Sequence, residues 1–168
     1  MKREDKLING VSGRLMVKKT TADGVVSEFD VPNTVVTTGL NHISGRLDDD
    51  TTGSANNQMS HMGLGSDSTG AAIGNTGLGS QNGDRVTCTS TVSNNTVTYV
   101  ATFGPGVATG NADDSTGTIR EAGIFNAAAS QAQAGAGVVG TMLCRTVFQG
   151  VNKEAGDSIQ ITWVVTIS

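Results

Sequence analysis

DSIQITWVVTIS, residues 157–168, is the stretch of sequence that decides the fold. Apolar and polar residues alternate along most of it. The apolar face consists of Ile159, Ile161, Trp163, Val165 and Ile167. A period of two is that of a β-strand, whose successive side chains point to opposite faces of the sheet. The stretch therefore predicts a strand with one buried face.

Alternation of the same kind recurs along the chain and predicts further strands. Residues 12–31 are expected to form a hairpin, because Asp23-Gly24 lies between two alternating runs. A second hairpin is predicted for residues 84–104, and single strands for residues 118–127 and 138–148. We therefore expect an all-β protein, mainly an antiparallel β-sandwich of jelly-roll-like form.

Only one stretch has the spacing of a helix. Leu40, Ile43 and Leu47 fall at helical intervals, and Thr37 or Thr38 is suited to cap the first turn. We expect one short helix there.

The length of 168 residues is that of a single domain. We expect an N-terminal arm over residues 1–13 and one sandwich domain over residues 14–168. Within the domain, residues 48–84 form a loop region rich in glycine, serine and asparagine. A structureless loop of that length is unusual in a compact domain. We therefore expect a short strand near residues 58–66, flanked by extended loops that something else holds in place.

Charge and composition argue against several classes of protein. The net charge is −4, and the 11 basic residues are mostly scattered. Binding to a nucleic acid backbone needs clustered lysine and arginine, so nucleic acid is not expected as a partner. No apolar run approaches the ~20 residues of a membrane-spanning helix, and no apolar signal region follows the N-terminus. The sequence predicts a protein that is made in the cytoplasm and has no membrane partner.

The four letters GLGS occur twice, at Gly63–Ser66 and at Gly77–Ser80, in a stretch that resembles a phosphate-binding loop. Gly65 and Gly70 have the spacing of such a loop, but Ala71-Ala72 follows where lysine and serine or threonine are required. We expect these glycines to permit turns with positive φ and close packing against a neighbour. No cofactor is predicted.

Candidate metal ligands and nucleophiles are isolated in the sequence. His42 and His61 have no partner at ligand spacing, and the acidic runs 48–50 and 113–114 lack the pattern of a calcium loop. No serine has the glycine spacing of a nucleophile elbow. We predict no catalytic residues, no metal site, no small-molecule substrate and hence no enzyme.

Charged residues and cysteines inside predicted strands need a separate interpretation. Arg120-Glu121 and Arg145 are better explained by a cross-strand or inter-subunit salt bridge than by catalysis. Cys88 and Cys144 are expected to be buried free thiols that act as small apolar groups.

The order of motifs resembles a family of small virion structural proteins of tailed double-stranded DNA bacteriophages. The resemblance is carried by GLGSDSTGAAIGNTGL, YVATFGPGVATG, TIREAGIFNA and LCRTVFQGVNKEAGDSIQITWVVTIS. It covers roughly residues 33–168, and the segments Thr118–Asn126 and Arg145–Ser168 are its most specific parts. Members include capsid-associated and tail-fibre proteins.

The resemblance implies a virion component, and three functions are open. The first is a head decoration (cement) protein, expected as a homotrimer on the capsid exterior, bound to the major capsid protein and stabilising its lattice. The second is a tail- or baseplate-associated fibre or adaptor protein that acts in host attachment. The third is an enzyme, such as a glycan hydrolase of a tail spike. The low aromatic content, 4%, disfavours sugar binding, and the chain has no fibre repeats.

For a decoration protein, candidate contact residues lie in the arm and in the loops. Lys2, Arg3 and Lys6 of the arm are suited to an acidic patch on the capsid, and Asp113 and Asp114 lie in a loop. The loop region 48–84 and the segments 108–117 and 126–137 are the expected contact tips.

Overall fold

The computed structural model of the protein describes residues 10–45, 58–109, 118–136 and 139–167. Ten strands and two helices lie in these ranges. They are β1 (Val11–Thr20), β2 (Val26–Pro32), β3 (Thr34–Val35), α1 (Thr37–Gly45), β4 (His61–Gly65), β5 (Gln81–Thr87), β6 (Thr89–Ser93), β7 (Thr96–Phe103), β8 (Thr118–Phe125), α2 (Gln131–Ala136), β9 (Met142–Asn152) and β10 (Ser158–Ile167).

The strands form two antiparallel five-stranded sheets. Sheet A has the order β2-β1-β10-β7-β6, and sheet B has the order β3-β9-β8-β4-β5. The predicted C-terminal strand, β10, occupies the centre of sheet A, where Trp163 pairs with Leu15 on one side and with Tyr99 on the other. Four of the eight neighbouring pairs join consecutive strands, and the other four, β1–β10, β10–β7, β3–β9 and β8–β4, join strands that are distant in sequence.

The core lies between the two sheets, so the predicted all-β sandwich is confirmed. The alternating apolar faces meet there: Ile159, Ile161 and Trp163 of sheet A are fully buried, as are Leu64 and Ile124 of sheet B. The predicted apolar face of β10 holds from Ile159 to Val165. It ends at Ile167, which is 47% exposed at the end of the strand.

Among the described strands, the chain passes between the sheets four times, at β2–β3, β5–β6, β7–β8 and β9–β10, and two of these passages are corners of a single residue. Asn33 separates β2 of sheet A from β3 of sheet B, and its amide donates to Gly13 O (3.3 Å). Cys88 separates β5 from β6, and its amide donates to Ser60 O (2.8 Å). The prediction of one continuous strand through residues 84–92 was therefore wrong. The strand bends at Cys88, so its two halves belong to different sheets. Val92 pairs with Val97 on the edge strand β6 and is exposed because no strand covers it on its other side within the described residues.

The predicted helix is confirmed as α1, but its first turn is held differently from the expectation. The amide of Thr37 donates to Ile73 O (2.8 Å), and the hydroxyl of Thr38 donates to Met142 O (2.9 Å), so each threonine bonds to another part of the chain. Ile43 packs against the core, whereas Leu40 is exposed. A second helix, α2, was not predicted, because its alanine- and glycine-rich sequence has no apolar periodicity.

Two predicted boundaries need correction. The arm was expected to extend to residue 13, but β1 begins at Val11, which pairs with Ile167. The loop region was expected to extend to residue 84, but β5 begins at Gln81. The short strand expected near residues 58–66 is confirmed as β4. Residues 1–9 and 46–57 lie outside the described residues.

Candidate functional site

The outer face of sheet B, which points away from the core, is covered by residues 66–80. We call this segment the loop layer. It lies so close to the sheet that side chains would obstruct it: a Cβ atom on Gly65 would come closer than 3.0 Å to Ser80 O, and one on Gly123 would lie 3.1 Å from Leu78 Cδ2. The glycines of the sheet therefore permit a third layer to pack flat on it.

The two GLGS copies meet face to face in this packing. The amide of Ser66 donates to Ser80 O (2.9 Å), and the two serine hydroxyls lie 3.2 Å apart. Close packing was predicted correctly for Gly63, Gly65 and Gly79, whereas a Cβ atom on Gly77 would meet open space, and the expected turns with positive φ are not formed by these glycines. In the described part of the chain, the glycines with positive φ are Gly24, Gly83, Gly106 and Gly140, none of which belongs to a GLGS copy.

A buried carboxylate anchors the end of the loop layer. Glu121 lies on β8 and is 0% exposed. Its Oε1 accepts from the amide of Ser80 (2.7 Å), and its Oε2 accepts from the amide of Gly79 (3.0 Å). The same Oε2 accepts from Arg145 Nε (2.8 Å). The charge of Glu121 thus serves both the loop and an arginine of the neighbouring strand.

Arg145, on β9, connects the sheet to the middle of the loop layer. It is only 2% exposed. Besides Glu121, it bonds to Asp67 Oδ2 through Nη2 (3.0 Å) and to Asn75 Oδ1 through Nη1 (3.0 Å). We call Glu121, Arg145, Asp67 and Asn75 the charge cluster. It confirms the predicted cross-strand salt bridge, formed within one chain; the neighbouring Arg120 is not part of it.

The side chains of the charge cluster fasten the loop layer to sheet B. Both carboxylate oxygens of Glu121 accept hydrogen bonds from the loop backbone or from Arg145. The Nε, Nη1 and Nη2 atoms of Arg145 donate to other members of the cluster. The pKa of Asp67 is lowered, first by the hydrogen bond from the backbone amide of Thr69 and further by Arg145. Its carboxylate therefore stays ionised at neutral pH and keeps Arg145 paired.

A second buried arginine, Arg85 on β5, holds residues 126–136, which contain α2 and which we call the α2 segment. Its Nη1 donates to Ala127 O (3.2 Å) and to Val139 O (2.7 Å), and its Nε donates to Gln81 Oε1 (3.0 Å). The guanidinium lies 3.4 Å from the centre of the Phe125 ring, a cation–π contact. Burial lowers the pKa of Arg85 to about 10, so it remains a cation at neutral pH.

Sequence reasoning missed Arg85, although one signal was available. Like Arg145, it is a charged residue inside a predicted strand. The side chain of such a residue must either point to solvent or, if it is buried, find a polar partner. Asp67 and Asn75 gave no signal, because polar residues are ordinary in a loop. Only the fold brings them to Arg145, which is 78 residues from Asp67 in sequence.

Two of the predicted contact segments lie side by side at β5. Gln81 Nε2 donates to Ala129 O (3.3 Å), and the amide of Gly83 donates to Gln131 Oε1 (3.1 Å). The loop layer ends where β5 begins, so this layer and the α2 segment form one continuous surface over sheet B. The most exposed large apolar residue of that surface is Ile73, at 60%.

The predicted partner-contact residues Lys2, Arg3, Lys6, Asp113 and Asp114 all lie outside the described residues. The arm that carries the three basic residues joins the sandwich at the start of β1. Residues 113–114 belong to the connection between β7 and β8.

The two histidines lie apart, His42 on α1 and His61 on β4. Burial is the main reason why the pKa of His61 is lowered, and Arg85 lowers it further. Among the described residues, no three histidine, cysteine, aspartate or glutamate side chains form a group that could hold a metal ion.

The two cysteines are buried free thiols, as predicted. Burial raises the pKa of both Cys88 and Cys144, which makes the reactive thiolate scarce at neutral pH.

Comparison of the chain with protein-family models, with curated proteins and with solved structures gave no match. None of the helices in the described ranges has the length and apolar character needed to cross a membrane.

Proposed function

We propose that the chain is a virion structural protein of a tailed bacteriophage, and that it decorates the head. In this proposal it binds the major capsid protein lattice from outside, as a homotrimer, and stabilises the capsid as a cement. Its action is non-enzymatic and consists of burying contact area between neighbouring capsomers. The motif resemblance given above supports a virion role, and the architecture of sheet A supports the cement role.

The observation that carries the cement role is the position of the strand to which the arm is joined. All ten residues of β1 pair with β10, and seven of them also pair with β2. A pull on the arm along the strand must therefore shear two antiparallel ladders at once, instead of opening them bond by bond. A cement protein bears such loads when packaged DNA presses on the capsid.

The fastened loops give a second line of support. Ordering a flexible loop at an interface costs conformational entropy and weakens binding. Here Arg145 fixes the loop layer and Arg85 fixes the α2 segment before any partner is met. The surface over sheet B is thus preorganised for contact. Ile73 is held in place because its carbonyl oxygen accepts a hydrogen bond from the amide of Thr37.

The proposal is tested by counting the copies of the protein on each particle and locating them. Purified protein is mixed with particles that lack it, and the particles are imaged by cryo-electron microscopy. We expect a regular array of many copies on the head. A few copies confined to the tail would refute decoration and favour the fibre or adaptor function.

The arm is tested on the same particles. Removing residues 1–9 leaves β1 intact, so the variant should fold normally and lose binding to the head. A triple reversal of charge at Lys2, Arg3 and Lys6 should weaken binding, whereas reversal at the exposed Lys18 of β1 is the matched control. Unchanged binding by the truncated protein would remove the arm from the mechanism.

A further inference from the structure

The two sheets have four edge strands, and natural proteins usually protect such edges against pairing with other chains. At one edge of sheet A, β2 carries Glu28 and Asp30 and ends at Pro32. Acidic side chains repel a second copy, and proline cannot donate to a ladder. This edge is protected.

Both edges of sheet B are protected in other ways. β3 has only two residues, and near it the hydroxyl of Thr146 ties β9 to Pro32 O (2.6 Å). β5 is covered by the α2 segment: the amide of Arg85 donates to Ala129 O (3.0 Å) and that of Gly83 to Gln131 Oε1.

The fourth edge, β6, has none of these protections. Its five residues, TSTVS at 89–93, are all exposed and include no charge and no proline. Val92 is 70% exposed, the highest value among the large apolar residues described. β6 pairs with β7 on one side, and none of the described residues pairs with its other side.

The turn after β6 determines which backbone groups are free. Ser93 and Thr96 flank a two-residue turn, in which Asn94 has a positive φ of 52°. Residues that flank such a turn bond to each other, and bonding then alternates along the ladder. Thr91 therefore bonds to β7, while the N–H and C=O groups of Ser90 and Val92 point outward.

We propose that β6 pairs with β6 of a second copy of this chain, antiparallel and centred on Thr91. Ser90 then lies opposite the partner's Val92, and Val92 opposite the partner's Ser90. The outward groups match in this register and form about four backbone hydrogen bonds. The two Thr91 side chains face each other across a twofold axis.

A second copy fits this edge because the strand is complementary to itself. No charge meets a like charge when two copies of β6 pair. Two copies of β2 would instead place Glu28 and Asp30 of one chain against the same acidic residues of the other chain. The contact is small, so association is expected to be weak in solution and to gain from many copies held close together. It goes beyond the proposed function and leaves the trimer to other surfaces.

The experiment introduces a charge at Thr91, which lies on the proposed twofold axis and therefore faces its own copy in the partner. Sedimentation velocity of the full chain at rising concentration should show self-association. Thr91→Lys and Thr91→Glu should each weaken that association about fivefold or more, because like charges then face each other. An equimolar mixture of the two variants should restore it, because opposite charges then pair. Ser27→Lys, on the protected edge β2, is the matched control and should behave as the unchanged protein.

A further variant tests the predicted register. Ser90→Pro removes an outward N–H without removing a bond to β7, and should also weaken association while the melting temperature stays close to that of the unchanged protein. The proposal is overturned if the protein stays unassociated at all concentrations, or if Thr91→Lys associates as the unchanged protein does. These outcomes are independent of binding to particles, so failure here leaves the decoration proposal standing.

Discussion

Glu121→Gln changes one oxygen of the charge cluster into an amide and tests whether that cluster holds the loop layer. In the native protein, the two Glu121 oxygens accept three bonds, from Gly79, Ser80 and Arg145. Glutamine has the same shape but only one acceptor oxygen. Its NH₂ group must face at least one donor, either a loop amide or the guanidinium.

The expected loss follows from this geometry. A hydrogen bond to a buried charged group contributes about 1.5–3 kcal/mol. Glutamine with its oxygen in the Oε2 position forfeits the bond from Ser80, and the two bonds that it keeps go to a neutral oxygen instead of a charged one. Part of the loss is offset because a neutral amide is easier to bury, and because Asp67 and Asn75 still bond to Arg145. We expect the free energy of unfolding to fall by about 3 kcal/mol, consistent with the cost of breaking a buried pair, and the melting temperature to fall by roughly 10 °C.

Two measurements check the prediction. Urea unfolding gives the free energy, and native-state hydrogen exchange gives the local opening of the loop. The amides of Gly79 and Ser80 should be protected in the native protein and should exchange much faster in the variant. The matched control is Glu28→Gln, which removes an exposed pair with Lys18 (3.3 Å) and should change stability by less than about 0.5 kcal/mol.

A loss below about 1 kcal/mol, together with unchanged exchange at Gly79 and Ser80, would refute the reasoning. The loop layer would then be held mainly by its apolar contact through Leu78. The variant Leu78→Ala would become the next test.

Further predictions concern three other positions. Gly79→Ala should destabilise the protein by about 2 kcal/mol in thermal unfolding, because its Cβ would collide with the carboxylate of Asp67; an unchanged melting temperature would show that the loop shifts freely. Trp163→Asp should prevent folding, since the indole is fully buried in the centre of sheet A, and a soluble, cooperatively melting variant would contradict this. The pKa of Asp157 is lowered mainly by its hydrogen bond from Lys19, so its contribution to stability is present above the unfolded pKa of about 3.9 and is lost as the pH falls through the folded value. Asp157→Asn should therefore flatten acid unfolding curves in that range, and curves that fall as steeply as before would contradict the assignment.

The strands were predictable because alternation is a local property. Residues 159–165 show this: each apolar side chain is two positions from the next, and the fold buries all four. The local pattern does not show where a strand passes from one sheet to the other. In the sequence, Cys88 lies within one continuous alternating run. The break at Cys88 is seen only in the fold, where the residues before it pair with β4 and the residues after it pair with β7.

The site was less predictable, because its groups are far apart in sequence. A cross-strand or inter-subunit salt bridge was predicted from the charges of Arg120, Glu121 and Arg145 in strands, and the fold selects Glu121 and Arg145 of one chain. That they fasten residues 66–80 was not predicted, because Asp67 and Asn75 come from a loop whose path depends on the packing of glycines against the sheet. The arm residues Lys2, Arg3 and Lys6 remain predictions.

The pairing of Val11 with Ile167 also bears on how the protein could be used to display foreign peptides. Both ends of the folded domain leave sheet A at the same pole, whereas the β1–β2 turn at Thr21–Val25 lies at the opposite pole. If the arm faces the capsid, a peptide fused to the C-terminus would emerge beside the contact and compete with it. An epitope inserted at Asp23-Gly24 would instead project from the far end, away from the particle surface.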